Sequence, residues 1–552
     1  MDFTATSSIA RSDESGTAAG GRPPVIGTVC EISGGAGLCR LAAATVRALA
    51  DHPDASIRSA GQVGSQVKVK VGDCWLLGNV RDLRRDEADA AHIVARIDFL
   101  GEGVEGPDGG LGDFRRGVTG FPMPGDAVHP VSRAELKQIF EAVDRPHIEI
   151  GTVYPTSDVR AALLYDTLLG KHFALLGSTG TGKSTSTALI LHRIVEKAPQ
   201  GHIVMLDPHG EYAAAFASTG MIFNVDNLNL PYWLMNFEEH CEVFITTEGA
   251  EREADMDILA KCLLQARSRS RIAQSLGKLT VDSPVPYLLS DLLAAITGQM
   301  GKLEKAGDLG PYMRLKTKVE ELKSDPRYGF MFNGLLVSDT MAAFLAKIFR
   351  LPGDGRPISI IDLSGVPSDI VTVVVAVLSR LVFDYAIWSR AEAQRPILLV
   401  CEEAHRYVPS DRSTSGQAVR KVLERIAKEG RKYGVSLGLI TQRPSDLAEG
   451  VLSQCGTIIA MRLNNDRDQA YVRSAMPEGA RGFLDSIPAL RNRECIICGE
   501  GVSIPMRVRL DDLAPQLRPA SDDPLFSELW TEMGGETEML ERTIHRWRVQ
   551  GR

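Results

Sequence analysis

One stretch of the sequence has the residue types and spacing of a phosphate-binding loop (P-loop), with glycines followed by lysine and serine. It lies between the apolar run Phe173–Leu176 and a helix-forming run at residues 188–191, the strand–loop–helix order that such a loop requires. Lys183 can neutralise phosphate oxygens, the Ser184 hydroxyl can bind Mg²⁺, and the helix N-terminus adds partial positive charge. We therefore predict that a nucleoside triphosphate binds here. The predicted binding residues are Gly177, Ser178, Thr179, Gly180, Thr181, Gly182, Lys183, Ser184 and Thr185.

A pair of adjacent carboxylates, Glu402 and Glu403, follows the unbroken apolar run at residues 397–401. Two other apolar runs end in single acids, Asp207 and Asp362, and compete for the same role. Adjacent side chains at the exit of a strand point in different directions, so one carboxylate can hold Mg²⁺ through water while the other accepts a proton. We assign Glu402 to the metal and Glu403 to the general base.

Two further residues are predicted to act on the γ-phosphate together with Lys183. Gln442 follows an apolar run at residues 437–440, where its amide can hydrogen-bond the γ-phosphate or the attacking water. Arg431 follows an amphipathic helix predicted at residues 417–428, and we interpret it as an arginine finger that reaches the next subunit of a ring. A cap on the helix C-terminus is the competing interpretation of Arg431.

A short loop brings three titratable residues together directly after another apolar run. Asp207, His209 and Glu211 can line the nucleotide site or communicate with a neighbouring subunit. A structural role for His209, as a hydrogen-bonding residue of the loop, is the alternative.

The elements that must position these residues change in character along the chain. Residues 25–147 contain short β-prone pieces separated by Gly, Asp and Pro, a pattern typical of a small β-barrel or sandwich. From residue 148 to 510, strands alternate with helices, which predicts a parallel sheet with its ligand site at the carboxyl ends of the strands. A mostly helical insertion is predicted at about 230–344. The predicted parallel strands are residues 174–176, 203–206, 358–361, 398–401, 437–440 and 457–461.

The two ends of the chain are predicted to differ from the domains between them. Residues 1–24 are rich in Ser, Ala, Thr and Gly, and we interpret them as a disordered tail. Residues 511–552 are predicted to form a partly exposed helical tail. The fold class is therefore α/β, with a β-barrel before the ATPase-like core and a helical tail after it.

Composition limits the classes of function. The longest apolar run, residues 370–388, is interrupted by Arg380 and Asp384, which favours a buried helix over a membrane span. Nine scattered cysteines suit the reducing cytoplasm, and we expect Cys495 and Cys498 to lie on alternate faces of a strand rather than to bind zinc. The net charge of −8 disfavours coating of nucleic acid by the outer surface but permits a local basic channel.

Six motifs of this sequence lie at residues 172–184, 206–212, 229–234, 399–405, 429–434 and 440–444. Taken together, they resemble the HerA–FtsK branch of P-loop ATPases, and HerA most closely. The resemblance implies a RecA-like core with a helical insertion, a hexameric ring, duplex DNA in the central channel, and hydrolysis of ATP with Mg²⁺ at the subunit interfaces. It also implies a partner docked on the barrel side, either a nuclease or a sirtuin-like NADase.

Residues that touch DNA in such a ring are harder to identify. Arg412 lies in a loop of flexible composition after the acidic pair, and Arg267, Arg269 and Arg271 alternate with serine in the insertion. Contacts to phosphate from either place would bind DNA without sequence preference. A solvated surface is the alternative for both groups of arginines.

The leading hypothesis is an ATP-driven translocase on double-stranded DNA that works with a separate effector enzyme, in DNA end processing or anti-phage defence. An ATP-gated scaffold that regulates such an effector is the main alternative, because the same motifs serve a motor and a switch. A DNA pump of the FtsK or conjugative type is the second. No nuclease constellation is recognisable in the sequence, so any cutting is expected to belong to the partner.

Overall fold

The computed structural model describes most of the chain and divides it into two compact units, Met1–Gln138 and Ile139–Arg552. The division falls earlier than the expected one after residue 147, because the loop leading to the strand at His147–Val153 already belongs to the second unit. Nearly all of the predicted N-terminal tail lies outside the described residues. The structure describes residues 24–107, 109–301, 309–333, 338–411, 416–476, 481–520, 526–531 and 536–549.

The described part of the first unit is a closed β-barrel with one additional strand. The strand order is β2-β1-β7-β3-β4-β5-β6, and β2 also pairs with the first half of β5, which closes the sheet. The second half of β5 pairs with β6, so this long strand leaves the barrel partway along its length. A barrel was predicted, and it is confirmed. The elements are β1 (Gly27–Ser33), β2 (Ala36–Ala42), α1 (Ala43–Ala48), α2 (Ala55–Arg58), β3 (Gln66–Val71), β4 (Cys74–Arg85), β5 (His92–Glu105), β6 (Leu111–Arg116), β7 (Ala127–Pro130) and α3 (Arg133–Phe140), which contains the boundary.

The second unit is built on an eleven-stranded sheet in the order β12-β13-β11-β14-β15-β10-β16-β17-β18-β8-β9. The strands from β12 to β16 in this order run parallel, and the rest are antiparallel. The parallel part is the predicted RecA-like core, with one strand, β12, that the sequence reading missed. The strands are β8 (His147–Val153), β9 (Arg160–Leu164), β10 (Phe173–Leu176), β11 (Ile203–Asp207), β12 (Gly220–Phe223), β13 (Ile358–Asp362), β14 (Ile397–Cys401), β15 (Val435–Thr441), β16 (Thr457–Ala460), β17 (Glu494–Gly499) and β18 (Met506–Leu510).

The central strands are continuous apolar runs because helices cover both faces of the sheet. All residues of β10, β14 and β15 are buried. Gly438 in β15 is a close-approach position, since a β-carbon there would lie 2.6 Å from the ring of Phe173 on the neighbouring strand. The helices before the insertion are α4 (Tyr165–Gly170) and α5 (Lys183–Lys197).

The helical insertion lies between β12 and β13, where the sequence predicts it, and its described helices extend to Phe349. It is attached to the core by a buried ion pair, in which Arg380 contacts both carboxylate oxygens of Glu239 at 2.7 and 2.9 Å. The same guanidinium donates to the carbonyl of Leu234. The helices are α6 (Phe237–Phe244), α7 (Gly249–Ser268), α8 (Arg271–Ser275), α9 (Leu289–Met300), α10 (Gly310–Ser324), α11 (Gly329–Phe332) and α12 (Met341–Phe349).

Arg380 lies on the longest apolar helix of the described chain, Val371–Trp388. This helix is long and apolar enough to cross a membrane by length and composition, and 61% of it is buried inside the protein. It packs against the sheet and the insertion, as the sequence predicts for a core helix. The later helices are α13 (Val371–Trp388), α14 (Gln417–Glu429), α15 (Glu449–Leu452), α16 (Asp466–Ala475), α17 (Arg481–Leu484), α18 (Phe526–Leu529) and α19 (Glu536–Val549).

The C-terminal segment begins by packing along the ATPase unit. Asp511 accepts two hydrogen bonds from Arg160 at 3.0 and 2.6 Å, and the Leu517 carbonyl lies 3.2 Å from His192 of α5. The tail then forms α18 and α19, where large apolar residues such as Trp547 are exposed. The predicted helical tail is thus present.

Candidate functional site

The glycine-rich loop joins β10, at the centre of the parallel sheet, to the first turn of α5. Gly180 and Gly182 have φ angles of 76° and 92°, which only glycine adopts without strain. A β-carbon at Gly177 would lie 2.9 Å from Met461 and 3.0 Å from Thr181. These three glycines let the backbone turn tightly, so that α5 begins at Lys183 with its N-terminus facing the loop.

Residues that follow β16 and one residue that precedes β17 form hydrogen bonds with the loop. The N–H of Ser178 donates to the carbonyl of Arg462 at 2.9 Å, and the Ser178 hydroxyl accepts from the N–H of Asn464 at 3.1 Å. The Thr181 carbonyl accepts from the N–H of Arg493 at 3.2 Å. The loop is therefore held in shape by hydrogen bonds to neighbouring segments of the protein.

The acidic pair lies directly opposite the P-loop lysine. The Nζ of Lys183 is 3.5 Å from Oε1 of Glu402 and 3.5 Å from Oε1 of Glu403, and all three side chains are buried. The strand order explains this proximity, because β14 is two positions from β10, whereas the strands of the competing acids Asp207 and Asp362 are three and four positions away.

The environment separates the two carboxylates chemically. Burial raises the pKa of Glu402 to about 8, against the opposing charge of Lys183. Burial acts in the same direction on Glu403, but the close contact with His405 and the charge of Lys183 outweigh it and lower the pKa of Glu403. Glu403 is therefore ionised at neutral pH, as a general base must be. It also has a left-handed backbone, with φ 51°, directly after the strand.

Gln442 connects the exit of β15 to the tip of the P-loop. Since β15 lies between β10 and β14, its last residues stand between the loop and the acidic pair. The Thr179 hydroxyl donates to Oε1 of Gln442, which is half-buried. The predicted γ-phosphate contact is therefore located at the site.

The loop after β11 lies beside the acidic pair, and Asp207 has a structural task in it. Its carboxylate accepts the backbone N–H groups of His209 at 3.2 Å, Gly210 at 2.9 Å and Tyr212 at 2.9 Å. These hydrogen bonds stabilise the loop and occupy the carboxylate oxygens of Asp207. His209 is exposed, and its charge helps to lower the pKa of Glu403.

Glu211 and Tyr212 bring the same loop into contact with Glu402. The half-buried Glu211 lies close enough to help raise the pKa of Glu402, after the larger effect of burial. The fully buried Tyr212 donates its hydroxyl to Oε2 of Glu402 at 3.3 Å. Sequence reasoning missed this role of Tyr212, and the signal was the buried aromatic residue beside the acids of the loop.

His405 is a second residue near the site to which sequence reasoning gave no role. Its Nδ1 lies 3.1 Å from Oε2 of Glu403 and 2.9 Å from the Thr441 hydroxyl. Its position two residues after the glutamate was the available signal.

Arg431 is not at the site of its own chain. It is exposed and precedes β15, whereas the P-loop and Gln442 lie at the carboxyl ends of the strands. Seven residues of strand separate the two ends, or about 20 Å. Arg431 instead lines a cavity of about 1150 Å³ at the amino ends of β11, β14 and β15.

The candidate DNA contacts in the insertion do not form one surface. Arg267 is fully buried and donates to the carbonyls of Val281, Trp233 and Met235, so its assignment to DNA is wrong. It is a structural residue, since three carbonyls take up its guanidinium. Arg269 is exposed and pairs with Asp291 at 2.9 Å, and Arg271 is exposed at the start of α8. Arg412 lies outside the described residues.

The fold and the site define a class of protein. A P-loop on a central parallel strand, a lysine facing two buried carboxylates and an amide between them form the hydrolytic centre of a P-loop ATPase. Residues 148–382 match the family model for the central domain of helicase HerA. The chain is therefore a P-loop ATPase whose central part is similar to the central domain of helicase HerA.

The chain is similar to two relatives over most of its length and to one solved structure. A DNA double-strand break repair helicase HerA of Pyrococcus furiosus is 28% identical over 429 residues, covering 70% of this chain and 73% of the relative. A probable helicase of Methanocaldococcus jannaschii is 25% identical over 510 residues, covering 88% and 92%. Among solved structures, VirB4 of Thermoanaerobacter pseudethanolicus is 14% identical and covers 67% of this chain and 97% of its own, with a TM-score of 0.48.

Proposed function

We propose that this protein is an ATP-driven translocase on double-stranded DNA that works as a hexameric ring with a separate effector enzyme. The observation that carries the proposal is the arrangement of Lys183 opposite Glu402 and Glu403, with Gln442 reaching the P-loop. The similar proteins of Pyrococcus furiosus and Sulfolobus acidocaldarius are named DNA double-strand break repair helicases, which supports DNA as the substrate.

In the proposed reaction, Lys183 and the N–H groups of the P-loop bind the β- and γ-phosphates. Glu403 accepts a proton from water as the water oxygen bonds to the γ-phosphorus and the bond to the ADP oxygen breaks. Gln442 holds the γ-phosphate or the attacking water. Its bond to Thr179 at the loop tip would then change with each turnover.

Ser184 and Glu402 are the residues that would hold Mg²⁺, Glu402 through water. The fit is chemical, since hydroxyl and carboxylate oxygens are ligands that Mg²⁺ prefers. Glu402 is buried with its pKa raised to about 8, and a divalent cation nearby would favour its ionised form. When bound, the ion supplies positive charge to the phosphate oxygens.

We propose that Arg431 acts on the γ-phosphate of a neighbouring subunit. Its position at the end of β15 opposite to its own P-loop supports this role. The effector is proposed to be a nuclease or an NADase-type enzyme that docks on the barrel, in DNA end processing or anti-phage defence.

The test is the steady-state ATPase activity of the purified protein with and without linear duplex DNA, with Glu403→Gln as the blank. We expect DNA to stimulate hydrolysis, and the stimulation to fall by about tenfold or more between 50 and 200 mM salt, because phosphate contacts release counterions. In Glu403→Gln, turnover should fall by at least about 100-fold while ATP still binds.

Hydrolysis that is indifferent to DNA would contradict a motor and favour an ATP-gated scaffold. Near-normal hydrolysis by Glu403→Gln would move the general base elsewhere. Glu429→Gln is a suitable control, since this half-exposed glutamate lies at the end of α14, away from the P-loop.

A further inference from the structure

His405 contacts the proposed base from the side opposite to the lysine. Oε1 of Glu403 lies 3.5 Å from Lys183, and Oε2 lies 3.1 Å from Nδ1 of His405. The two carboxylate oxygens thus have different neighbours, and only Oε1 faces the group that would engage phosphate. If Lys183 turns to a bound nucleotide, the contact with His405 is the one that continues to fix the carboxylate.

The contacts of His405 also define which nitrogen carries its proton. An ionised carboxylate cannot donate, so the 3.1 Å contact with Oε2 of Glu403 favours a proton on Nδ1; this contact is an ion pair, because Oε2 has no partner with hydrogen-bond geometry. The same Nδ1 lies 2.9 Å from the Thr441 hydroxyl, whose oxygen already accepts the N–H of Arg443 at 3.0 Å. Nδ1 of His405 therefore contacts residues at the ends of two neighbouring strands, Glu403 after β14 and Thr441 of β15.

Thr441 extends these contacts to the P-loop. It is fully buried as the last residue of β15, and its carbonyl accepts the N–H of Gly177 at 3.3 Å. The next residue, Gln442, accepts from the hydroxyl of Thr179. A continuous series of contacts therefore joins the start and the tip of the P-loop to the end of β15, and the end of β15 to Glu403 through His405.

We propose that His405 is a positioning residue for ATP hydrolysis, whose Nδ1, 3.1 Å from Oε2 of Glu403, holds this carboxylate so that Oε1 faces the attacking water. Through Thr441, it also ties the base to the strand end that carries Gln442. The inference rests on the proposed role of Glu403 as general base. It predicts that a misdirected carboxylate slows the chemical step and leaves ATP binding nearly intact.

Two amide substitutions separate the roles of the two ring nitrogens in the full-length protein. The amide nitrogen of asparagine can occupy the place of Nδ1, whereas that of glutamine reaches the place of Nε2. We expect His405→Gln to lower kcat by about 30-fold or more with KM for ATP changed by less than about threefold, because misplacement by about 1 Å costs on this scale. His405→Asn should retain kcat to within about fivefold of the wild-type value.

A double variant tests whether His405 acts through Glu403. Glu403→Gln with His405→Gln should be no slower than Glu403→Gln alone, since effects of residues that act as a unit do not add. Binding of a fluorescent ATP analogue and the melting temperature are measured on every variant. Both should stay close to wild type in His405→Gln, so that lost folding cannot account for a lower kcat.

The inference is overturned if His405→Gln keeps half of the wild-type kcat, if His405→Asn is as slow as His405→Gln, or if the losses in the double variant add. When Glu403→Gln is inactive but His405→Gln is normal, only the inference fails. When Glu403→Gln itself turns over normally, the proposed base is wrong and the positioning role falls with it.

Discussion

The ammonium group of Lys183 lies close to two buried carboxylates, so its charge stabilises Glu402 and Glu403 in the nucleotide-free protein. We predict that Lys183→Ala lowers ATP affinity by at least about tenfold, because the β- and γ-phosphates lose their charged donor. Titration with a fluorescent ATP analogue measures this. Lys197→Ala, an exposed lysine at the end of the same helix, is the control and should bind ATP normally.

The raised pKa of Glu402 has a consequence for stability. Its pKa in the fold is about 8, against an ordinary value of 4.5, so between these two values the folded protein binds more protons than the unfolded chain. The contribution of Glu402 to the stability of the nucleotide-free protein should then fall as pH rises through this window. We predict that Glu402→Gln, which stays neutral, becomes progressively more stable than wild type from pH 5 to pH 8.

Melting temperatures of wild type and Glu402→Gln across this range, without nucleotide or metal, measure the effect. A constant difference between the two proteins would show that Glu402 does not titrate in this window. Glu429→Gln again provides a matched change outside the site.

Local sequence predicted the glycine-rich loop after β10 and the acidic pair after β14, because a turn and a strand exit are set by neighbours in the chain. Contacts between segments that are far apart in the sequence could not be predicted. Tyr212 reaches Glu402 across 190 positions, and no periodicity encodes such a contact. The arginine–serine alternation around Arg267 misled for a related reason, since burial of an arginine depends on carbonyls from other segments.

At the scale of elements, one buried ion pair attaches the insertion to the core. Arg380 of α13 binds Glu239 of α6, which is fully buried. We predict that Arg380→Met destabilises the ATPase unit by about 3–5 kcal/mol, because it leaves a buried charge without its partner. Thermal or urea unfolding measures the loss. Arg390→Met, at an exposed position shortly after α13, should have little effect.

Adding Glu239→Gln to Arg380→Met should restore much of that stability. A glutamine removes the buried charge and can still complete the capping box that Glu239 forms with Asn236 at the start of α6. If the double variant were no more stable than Arg380→Met, the loss would come from packing and from the bond to the Leu234 carbonyl instead.

The core strands could be predicted because burial on both faces produces long apolar runs, as in residues 397–401. The missed strand, β12, has four residues at the edge of the sheet with two only half-buried, which gives a weaker signal. The order of strands could not be read at all. Strand order depends on the crossover connections between strands. In this sheet, the order places β15 between β14 and β10, and so places Gln442 between the P-loop and Glu403.

At the scale of the whole molecule, the proposed role of Arg431 places its guanidinium at the γ-phosphate of a second subunit. We predict that Arg431→Ala lowers hydrolysis by about 100-fold or more while ATP still binds. Mixing it with Glu403→Gln should raise activity above the sum of the separate variants, because some interfaces then combine an intact Glu403 with an intact Arg431.

Lys432→Ala, the exposed neighbour of Arg431, is the control for this experiment. If mixing restores no activity although the subunits exchange, the role in trans is wrong, and Arg431 acts instead at the end of α14. Native mass measurements on the same mixtures establish whether the subunits exchange and how many assemble.

The strand that carries the P-loop has a further property. All four residues of β10 are at most 2% exposed, and parallel partners flank the strand on both sides. Its amide protons should therefore exchange with deuterium only when the whole unit unfolds, whereas those of loops can exchange through local opening. Peptides covering Phe173–Leu176 would thus serve as an internal reference for slow exchange. The exchange rate of the neighbouring P-loop, with and without nucleotide, could be compared with this reference in the same sample.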